Sequence, residues 1–323
     1  MKKQILFIGL LIISGIFNTI KSQHTEKVFT KDIRYLFYLP DTYGKDSTVK
    51  WPLILFLHGG GERGDNLEKV KANGPPKLIS KGKKFPFIIV APQVASDEFW
   101  NPDLLMRMLK DIIKKYRVDE DRIYLTGLSI GGLGTWETAE KYPEMFAAIA
   151  PVSGWGDPLQ LWKIRHTPVW IFHGAKDPSV PVIASVVMAD SLKQYNNVKL
   201  TVYPNAVHDS WTETYNNDKL YEWFLEHKRF RFIPSNVAVS PEKYTGIFLS
   251  GNDTVNVFQV DGKLWIKYGF NASKTAEIKP ADGNTFFLNE NDLSEIKYVK
   301  DNNGVMASFI FYDNFQKVFL RVR

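Results

Sequence analysis

The segment from Arg122 to Phe146 constrains the fold of this chain more than any other. Residues 123–126 alternate β-branched and apolar side chains, which predicts a short buried strand, and the residues from Gly131 onward space apolar side chains as a helix does. Between them lies Gly127-Leu128-Ser129-Ile130-Gly131, a match to G-x-S-x-G. Between a strand and a helix, the serine of this motif stands at the apex of a strained turn. The pattern predicts Ser129 as a nucleophile; the alternative is an ordinary structural turn.

Continuous apolar runs at 52–57 and 87–91 predict buried strands. Further strands are predicted at 123–126, 147–152, 169–172 and 199–203. Helices are predicted over 103–116, 183–195 and 218–228, and residues 27–39 predict two short strands at a sheet edge. Strands that alternate with helices indicate an α/β fold with a mostly parallel, doubly wound sheet.

The sequence changes character near Pro234. From Tyr244 to Arg323, short alternating runs are separated by turn pairs such as Asp261-Gly262 and Asn303-Gly304. This spacing predicts a second, small antiparallel β domain, either a meander or a barrel. We expect the boundary within 232–242, and divide the chain at 23–233 and 234–323.

Residues 1–22 have the pattern of a secretory signal peptide, because Lys2 and Lys3 precede an apolar run too short for a confident membrane span. The chain contains 0 cysteines, which excludes disulfides, thiolate chemistry and a lipid-anchored cysteine. We therefore expect a secreted or periplasmic protein without stable membrane insertion. The net charge of +6 falls to +3 without Lys2, Lys3 and Lys21. With no dense basic run, nucleic-acid binding is not expected.

A serine nucleophile needs a general base that takes its proton and a carboxylate that orients this base. On a sheet of this kind both follow later strands, in the order serine, acid, histidine. His208 lies on the loop after 199–203 and is the predicted base. Asp177 ends a short loop after 169–172 and is the predicted acid.

Other histidines and acids compete for these two roles. Of the 6 histidines, His58 and His173 end buried strands beside glycines, where histidine commonly packs or fixes a loop. Asp157, after the preceding strand, is the competing acid. Asp209 adjoins the predicted base and is badly placed to reach the far nitrogen of its ring. Asp177 itself has a structural alternative, an Asx turn before proline.

Acyl transfer also needs two N–H donors for the developing oxyanion. The amide of Ile130, directly after the predicted nucleophile, is one candidate. The other comes from Gly59-Gly60-Gly61, where missing side chains let the backbone approach a substrate. We favour Gly60; the alternative is a flexible loop at the end of a strand.

Four segments resemble the secreted α/β-hydrolase esterases. They are LHGGGERGDN at 57–66, GLSIGGLGTWETAEKYPEMFAAIAPVSG at 127–154, HGAKDPSVPV at 173–182 and VHDSWTETYNNDKLYEWFL at 207–225. These proteins include carbohydrate esterase family one, with its feruloyl and acetylxylan esterases, and related predicted peptidases. The resemblance covers roughly 30–228 and implies an α/β-hydrolase fold, a triad of Ser129, Asp177 and His208, and no metal or cofactor. From Tyr244 on, the chain more loosely resembles the small β domain appended to some secreted serine hydrolases.

Three tryptophans lie on or near loops expected to surround the site: Trp155, Trp162 and Trp211. Their ring faces can stack on a sugar or an aryl acyl group. Packing under a loop is the alternative for each. Trp211, close after the predicted base, and Trp155 are the candidates for substrate binding.

The expected function is that of a secreted serine carboxylesterase acting through an acyl-enzyme. Its substrate would be a small-molecule or polysaccharide ester, with acetyl or feruloyl groups of plant polysaccharides expected from the resemblance. One alternative is a serine peptidase of the prolyl-oligopeptidase type, although no repeated blades occur. Another is a catalytically inactive carbohydrate-binding protein that binds through its second domain. That domain could instead pack beside the active-site edge and shape the cleft.

Overall fold

The structure is a computed structural model that describes residues 24–30, 33–235, 239–269, 273–290 and 292–322. The predicted signal peptide, residues 1–22, lies outside the described residues. Two sheets organise the described chain, one in each of two domains.

The N-terminal domain is built on an eight-stranded sheet. Its strands are β1 (Thr25–Thr30), β2 (Ile33–Tyr38), β3 (Trp51–Leu57), β4 (Ile88–Gln93), β5 (Val118–Leu128), β6 (Ala148–Val152), β7 (Val169–Gly174) and β8 (Val198–Tyr203). They lie in the order β1-β2-β4-β3-β5-β6-β7-β8. β1 and β2 are antiparallel edge strands, and the remaining neighbours pair in parallel. The predicted mostly parallel sheet with two short edge strands is confirmed.

Helices cover both faces of this sheet. They are α1 (Gly74–Ser80), α2 (Pro102–Lys115), α3 (Ile130–Lys141), α4 (Ile183–Leu192), α5 (Trp211–Asn216) and α6 (Asp218–Glu226). Successive residues of β3 point to opposite faces, so Leu53 and Leu55 join the core under α2, α3 and α4, while Ile54 and Phe56 join the core under α1, α5 and α6. The helix predicted over 103–116 is observed as α2, which begins with Asn101 accepting from two backbone amides and with proline at its first position. The fold is therefore doubly wound.

The C-terminal domain is a closed antiparallel barrel. Its strands are β9 (Gly246–Ser250), β10 (Asp253–Val260), β11 (Lys263–Tyr268), β12 (Lys274–Pro280), β13 (Thr285–Phe287), β14 (Glu295–Lys300), β15 (Met306–Tyr312) and β16 (Gln316–Arg321). Pairing between β16 and β9 closes it. The predicted turn Asp261-Gly262 joins β10 to β11 with φ of 50° and 77°, as a tight hairpin requires. Its interior is largely aromatic, with Phe248, Phe286 and Phe309 fully buried.

The barrel is attached at the edge of the sheet where the parallel strands begin. Arg165 and His166, just before β7, bind Glu295 of β14 at 2.6 and 3.1 Å. Phe232 stacks on Phe287 with ring centroids 4.9 Å apart and an interplanar angle of 4°. Loops that follow the parallel strands lie at the opposite edge. The barrel therefore does not pack beside the active-site edge, which was one of the alternatives that the sequence left open. The exact boundary near residue 234 stays a prediction.

Candidate active site

Ser129 lies in a strained turn between β5 and α3, with φ 54° and ψ −117°. Serine rarely adopts a positive φ, and such strain persists only where the surroundings impose it. A Cβ on Gly131 would come within 2.1 Å of the Leu57 carbonyl oxygen, and one on Gly127 within 2.4 Å of the Gly131 carbonyl oxygen. Glycine at both positions therefore allows the turn to form against β3. The predicted strand, turn and helix are all observed.

His208 connects Ser129 to Asp177. Its Nε2 lies 3.0 Å from Ser129 Oγ, and its Nδ1 lies 2.7 Å from Asp177 Oδ2. An ionised carboxylate only accepts hydrogen bonds, so Nδ1 donates to Asp177 and Nε2 is left to accept the hydroxyl proton. The structure brings together the three side chains that the sequence predicted as nucleophile, acid and base.

Asp177 has a buried carboxylate with partners at both oxygens. Its Oδ1 accepts from the amides of Ser179 at 2.8 Å and Val180 at 2.9 Å. Burial raises the pKa of this carboxyl, but the hydrogen bonds from His208 and from these two amides outweigh burial and lower the pKa. The Asx turn and the contact with the histidine are thus made by different oxygens of one side chain.

The loop that carries His208 is fixed by two buried serines. Ser153 Oγ donates to the His208 carbonyl oxygen at 3.0 Å and lies 2.7 Å from Ser210 Oγ. The Ser210 amide donates to the same carbonyl at 2.9 Å. These contacts hold the backbone of His208 just beyond β6, next to the turn that carries Ser129. Neither serine was expected from the sequence, because a small polar residue on a loop carries no pattern that marks it.

The predicted oxyanion donors lie on two adjacent segments. Gly60 begins a short 3-10 turn, Gly60–Glu62, directly beyond β3, which pairs with β5. A Cβ on neighbouring Gly59 would come within 2.5 Å of Leu128 Cδ1, so this turn lies against the residue before Ser129. Ile130 is the first residue of α3, and its amide therefore has no acceptor within the helix.

A polar chain that the sequence did not reveal links these two sides of the site. The Glu62 carboxylate, next to the glycines, accepts from the Asn73 side-chain amide, and Asn73 Oδ1 accepts from Trp211 Nε1 at 3.2 Å. The Trp211 ring meets the His208 ring edge to face at 5.0 Å. Glu62 is 5% exposed, so its carboxylate needs such a partner. The chain ties the glycine turn to the histidine loop.

Comparison with known proteins identifies the fold of this site. Residues 93–219, which include the three linked side chains, match the family model described as Phospholipase/Carboxylesterase. The crystal structure of a thermostable esterase superimposes with a TM-score of 0.56 at 30% identity, covering 65% of this chain and 64% of that one. The chain has the α/β-hydrolase fold. From here on, the first domain is called the hydrolase domain.

Curated relatives match the hydrolase domain over shorter spans. A bifunctional acetylxylan esterase/xylanase of Neocallimastix patriciarum is 27% identical over an alignment of 170 residues, with coverage of 49% of this chain and 23% of the relative. An uncharacterised secreted protein of Arthroderma benhamiae is 29% identical over 191 residues, covering 46% of this chain and 20% of the relative. This chain thus spans less than a quarter of the length of either relative. The resemblance to α/β-hydrolase esterases is confirmed.

The competing histidines and acids have structural partners in the hydrolase domain. His58 Nε2 accepts from the Val94 amide at 3.2 Å, and His173 Nε2 lies 2.8 Å from the Val180 carbonyl oxygen and 3.2 Å from Asp177 Oδ2. Both rings are buried and fix loops, as expected. Asp157 is exposed and caps the 3-10 segment Pro158–Ile164. Asp209 accepts from Thr212 at the start of α5.

The three tryptophans separate into two groups. Trp155, beyond β6, and Trp211, at the start of α5, are half-buried at the catalytic edge of the hydrolase domain. Trp162 lies at the junction of the two domains, with its ring centroid 6.3 Å from that of Tyr312. The expectation that Trp162 surrounds the site is wrong, because the segment Pro158–Ile164 runs from the catalytic edge to the start of β7.

Within the described ranges, no group of three or more histidine, aspartate or glutamate side chains is arranged to hold a metal ion. Over the same part of the chain, no helix is both long enough and apolar enough to span a membrane.

Proposed function

We propose that this protein is a secreted serine carboxylesterase that removes acetyl or feruloyl groups from plant polysaccharides. The observation that carries the proposal is the continuous contact from Ser129 Oγ through His208 to Asp177. The similarity to an acetylxylan esterase/xylanase supports the substrate class, and the similarity to a secreted protein supports export. The signal-like pattern of residues 1–22 supports export independently.

In the proposed reaction, His208 Nε2 takes the Ser129 hydroxyl proton as Oγ attacks the ester carbonyl carbon. The carbonyl electrons move to oxygen, and the amides of Gly60 and Ile130 stabilise the resulting oxyanion. Collapse of the intermediate expels the alcohol, which takes its proton from His208, and leaves an acyl group on Ser129. Water then attacks this acyl-enzyme, and His208 accepts the water proton. Collapse of the second intermediate breaks the bond to Ser129 Oγ, which regains its proton from His208 as the acid is released. Asp177 stabilises the imidazolium in both halves of the reaction.

Trp155 and Trp211 are proposed to contact the acyl group or the sugar that carries it. Each is half-buried, so part of the ring remains accessible at the catalytic edge. Trp211 has its indole N–H engaged by Asn73, which leaves mainly its ring carbons for a substrate. The proposed chemistry requires no metal or cofactor.

The experiment is hydrolysis of four substrates by the unmodified protein and by Ser129→Ala. p-Nitrophenyl acetate, methyl ferulate and acetylated xylan test ester hydrolysis, and a proline anilide tests peptidase activity. We expect turnover of esters that falls at least about 10³-fold in the variant while its melting temperature stays unchanged. Ester turnover retained by a clean preparation of Ser129→Ala would exclude this serine as the nucleophile.

The anilide separates the esterase from the peptidase alternative. Prolyl oligopeptidases carry a propeller domain, whereas the second domain here is one closed eight-stranded barrel. Cleavage of the anilide alone would replace the proposed function with peptidase activity. If neither ester nor anilide is cleaved, a carbohydrate-binding protein on a hydrolase scaffold becomes the better explanation.

A further inference from the structure

A cleft of about 440 Å³ lies between the two domains. The end of α3 and the segment Pro158–Ile164 form one wall, and barrel loops at 292–294 and 313–314 form the other. Its volume lies within the range of roughly 300–1,000 Å³ that is typical of ligand sites. Glu140 in this cleft is separated from Ser129 by about 16 Å along α3, at a rise of about 1.5 Å per residue. A ligand held here would not touch the triad.

Glu140 lines this cleft and has a buried carboxyl with one unpaired oxygen. The residue is 9% exposed, and its Oε1 makes no hydrogen bond with any of the described residues. Burial, together with the nearby charge of Asp157, raises its pKa to about 8. Adjacent Lys141 does not neutralise it, because its Nζ pairs with Asp103 at 2.6 Å. Burial of an unpaired polar group is costly, and because Oε1 itself has almost no exposed surface, a ligand in the cleft would bond this carboxyl through Oε2.

The rest of the cleft combines an aromatic ring with further acids. The half-buried Trp162 lines it next to Lys163, whose Nζ lies 5.8 Å from the ring centroid. Asp292 and Asp313 line the barrel side, where both interact with Ser294. An aromatic surface surrounded by hydrogen-bonding side chains suits the apolar face and the hydroxyl groups of a sugar.

Two other classes of ligand fit less well. The excess of carboxyl groups over free lysines disfavours an anion, because Arg165 is already engaged by Glu295. A metal ion needs several ligands at one point, and the described part of the chain offers no such cluster. A neutral polyhydroxyl ligand carries no negative charge for the carboxyls to repel and needs no cluster of metal ligands.

We propose that this cleft binds a neutral sugar residue of a polysaccharide, with Trp162 against the sugar ring and the carboxyls of Glu140 and Asp292 bonded to its hydroxyls. The site is separate from the one that contains Ser129. It holds a polymer at the domain junction while the ester groups are processed at the other edge of the sheet. The proposed site gives the barrel a function that depends on its attachment at the edge of the sheet where the parallel strands begin. The choice of xylan fragments as first probes rests on the proposed function, whereas the site does not.

The test measures binding of the unesterified oligosaccharides xylohexaose and cellohexaose by calorimetry to the full chain carrying Ser129→Ala, a background shared by all the variants compared. We expect binding that weakens at least tenfold on Trp162→Ala and on Glu140→Leu. Glu140→Gln keeps a donor and an acceptor, and is expected to bind within threefold of its parent. Glu140→Leu removes the unpaired carboxyl, so its melting temperature should not fall. That combination of lost affinity and retained stability distinguishes a ligand contact from a structural role.

Trp211→Ala in the same background is the matched control. Affinity lost there but retained in Trp162→Ala would place the sugar at the catalytic edge and overturn the proposal. If neither saccharide binds detectably at a concentration on the order of 10 mM, the proposal is overturned as well. Turnover of p-nitrophenyl acetate, measured separately on Trp162→Ala with Ser129 intact, should match that of the unmodified protein. Binding without turnover would refute the proposed function alone, and turnover without binding would refute this site alone.

Discussion

Two histidine–carboxylate pairs in this molecule have similar distances and similar burial but differ in the residues around them. At the catalytic edge, His208 lies 2.7 Å from Asp177; at the domain junction, His166 lies 3.1 Å from Glu295. The histidine side chains are 24% and 23% exposed, and the carboxylates 0% and 5%. Burial and pairing therefore do not distinguish them.

The two pairs are distinguished by the other residues that contact them. The second nitrogen of His208 faces the hydroxyl of Ser129, which the strained turn holds at 3.0 Å. His166 instead stacks flat on Phe230 at 4.0 Å, and its carboxylate is held by the permanent cation of Arg165. A fixed cation stabilises a permanent ion pair, whereas a base must gain and lose a proton in each cycle. The comparison teaches that a buried histidine–carboxylate pair indicates catalysis only when a nucleophile lies at its free nitrogen.

The largest effect is expected for Asp177→Asn. The asparagine keeps the shape and an oxygen for the two loop amides, but removes the charge that stabilises the imidazolium. Activity should fall about 10⁴-fold in kcat, with little change in melting temperature. Steady-state kinetics on p-nitrophenyl acetate measure this loss. An asparagine variant that keeps more than a tenth of the activity would show that Asp177 only forms the Asx turn.

Glu295→Gln tests the other pair and should affect stability rather than catalysis. It leaves the buried Arg165 guanidinium without its counter-charge, which typically costs about 3 to 5 kcal/mol. Chemical denaturation should show this loss, while kcat per folded molecule stays unchanged. The double variant Arg165→Met with Glu295→Leu is the control, since it removes both charges and should recover much of the stability. Reduced kcat in a fully folded Glu295→Gln protein would contradict the assigned difference between the pairs.

The pH dependence of stability sharpens the same comparison. Burial raises the pKa of Glu295, but His166 and Arg165 outweigh burial and lower it below 4.5. At pH values around and between the unfolded pKa of 4.5 and the lower folded pKa, the unfolded chain therefore binds more protons than the folded chain, and this contribution to stability is lost as the pH falls through the folded pKa. In Glu295→Gln this contribution is absent. The variant should lose less stability than the unmodified protein as the pH falls through 4.5 and below, as followed by thermal melts.

The sequence supported the triad better than the surroundings of the triad. Ser129, Asp177 and His208 each follow a predicted strand, and parallel strands bring such positions to one edge whatever lies between them. α1 and α5 were not predicted, because helices of seven and six residues are too short to show an apolar period. With α1 unpredicted, the contact between Asn73 and Trp211 could not be foreseen.

The domain junction was beyond prediction for a related reason. Arg165 and Glu295 lie 130 residues apart, and no local pattern pairs an arginine with one acid among many. Alternating runs and turn pairs did predict the strands of the barrel, but closure depends on the pairing of β16 with β9, which depends on the overall twist. Trp162 follows β6 in the chain but lies at the opposite edge of the sheet, because the segment Pro158–Ile164 runs back to the start of β7, and no local sequence pattern indicates this path.

The smallest effect is expected for Asn73→Ala, which cuts the polar chain between the glycine turn and the histidine loop. Neither end of that chain reacts, so the loss should come from looser positioning of His208 and of the Gly60 amide. We expect about a tenfold fall in kcat with KM nearly unchanged.

Asn73→Asp separates the two hydrogen bonds of Asn73, because it can still accept from Trp211 Nε1 but repels Glu62. If Asn73→Asp is as impaired as alanine, the bond to Glu62 matters more, and positioning acts through the glycine turn. If it keeps full activity, the bond from Trp211 matters more, and only the histidine side needs this support. An alanine variant with unchanged kcat would show that the triad is fixed by Ser153 and Ser210 alone, as the His166 pair is fixed without any such chain.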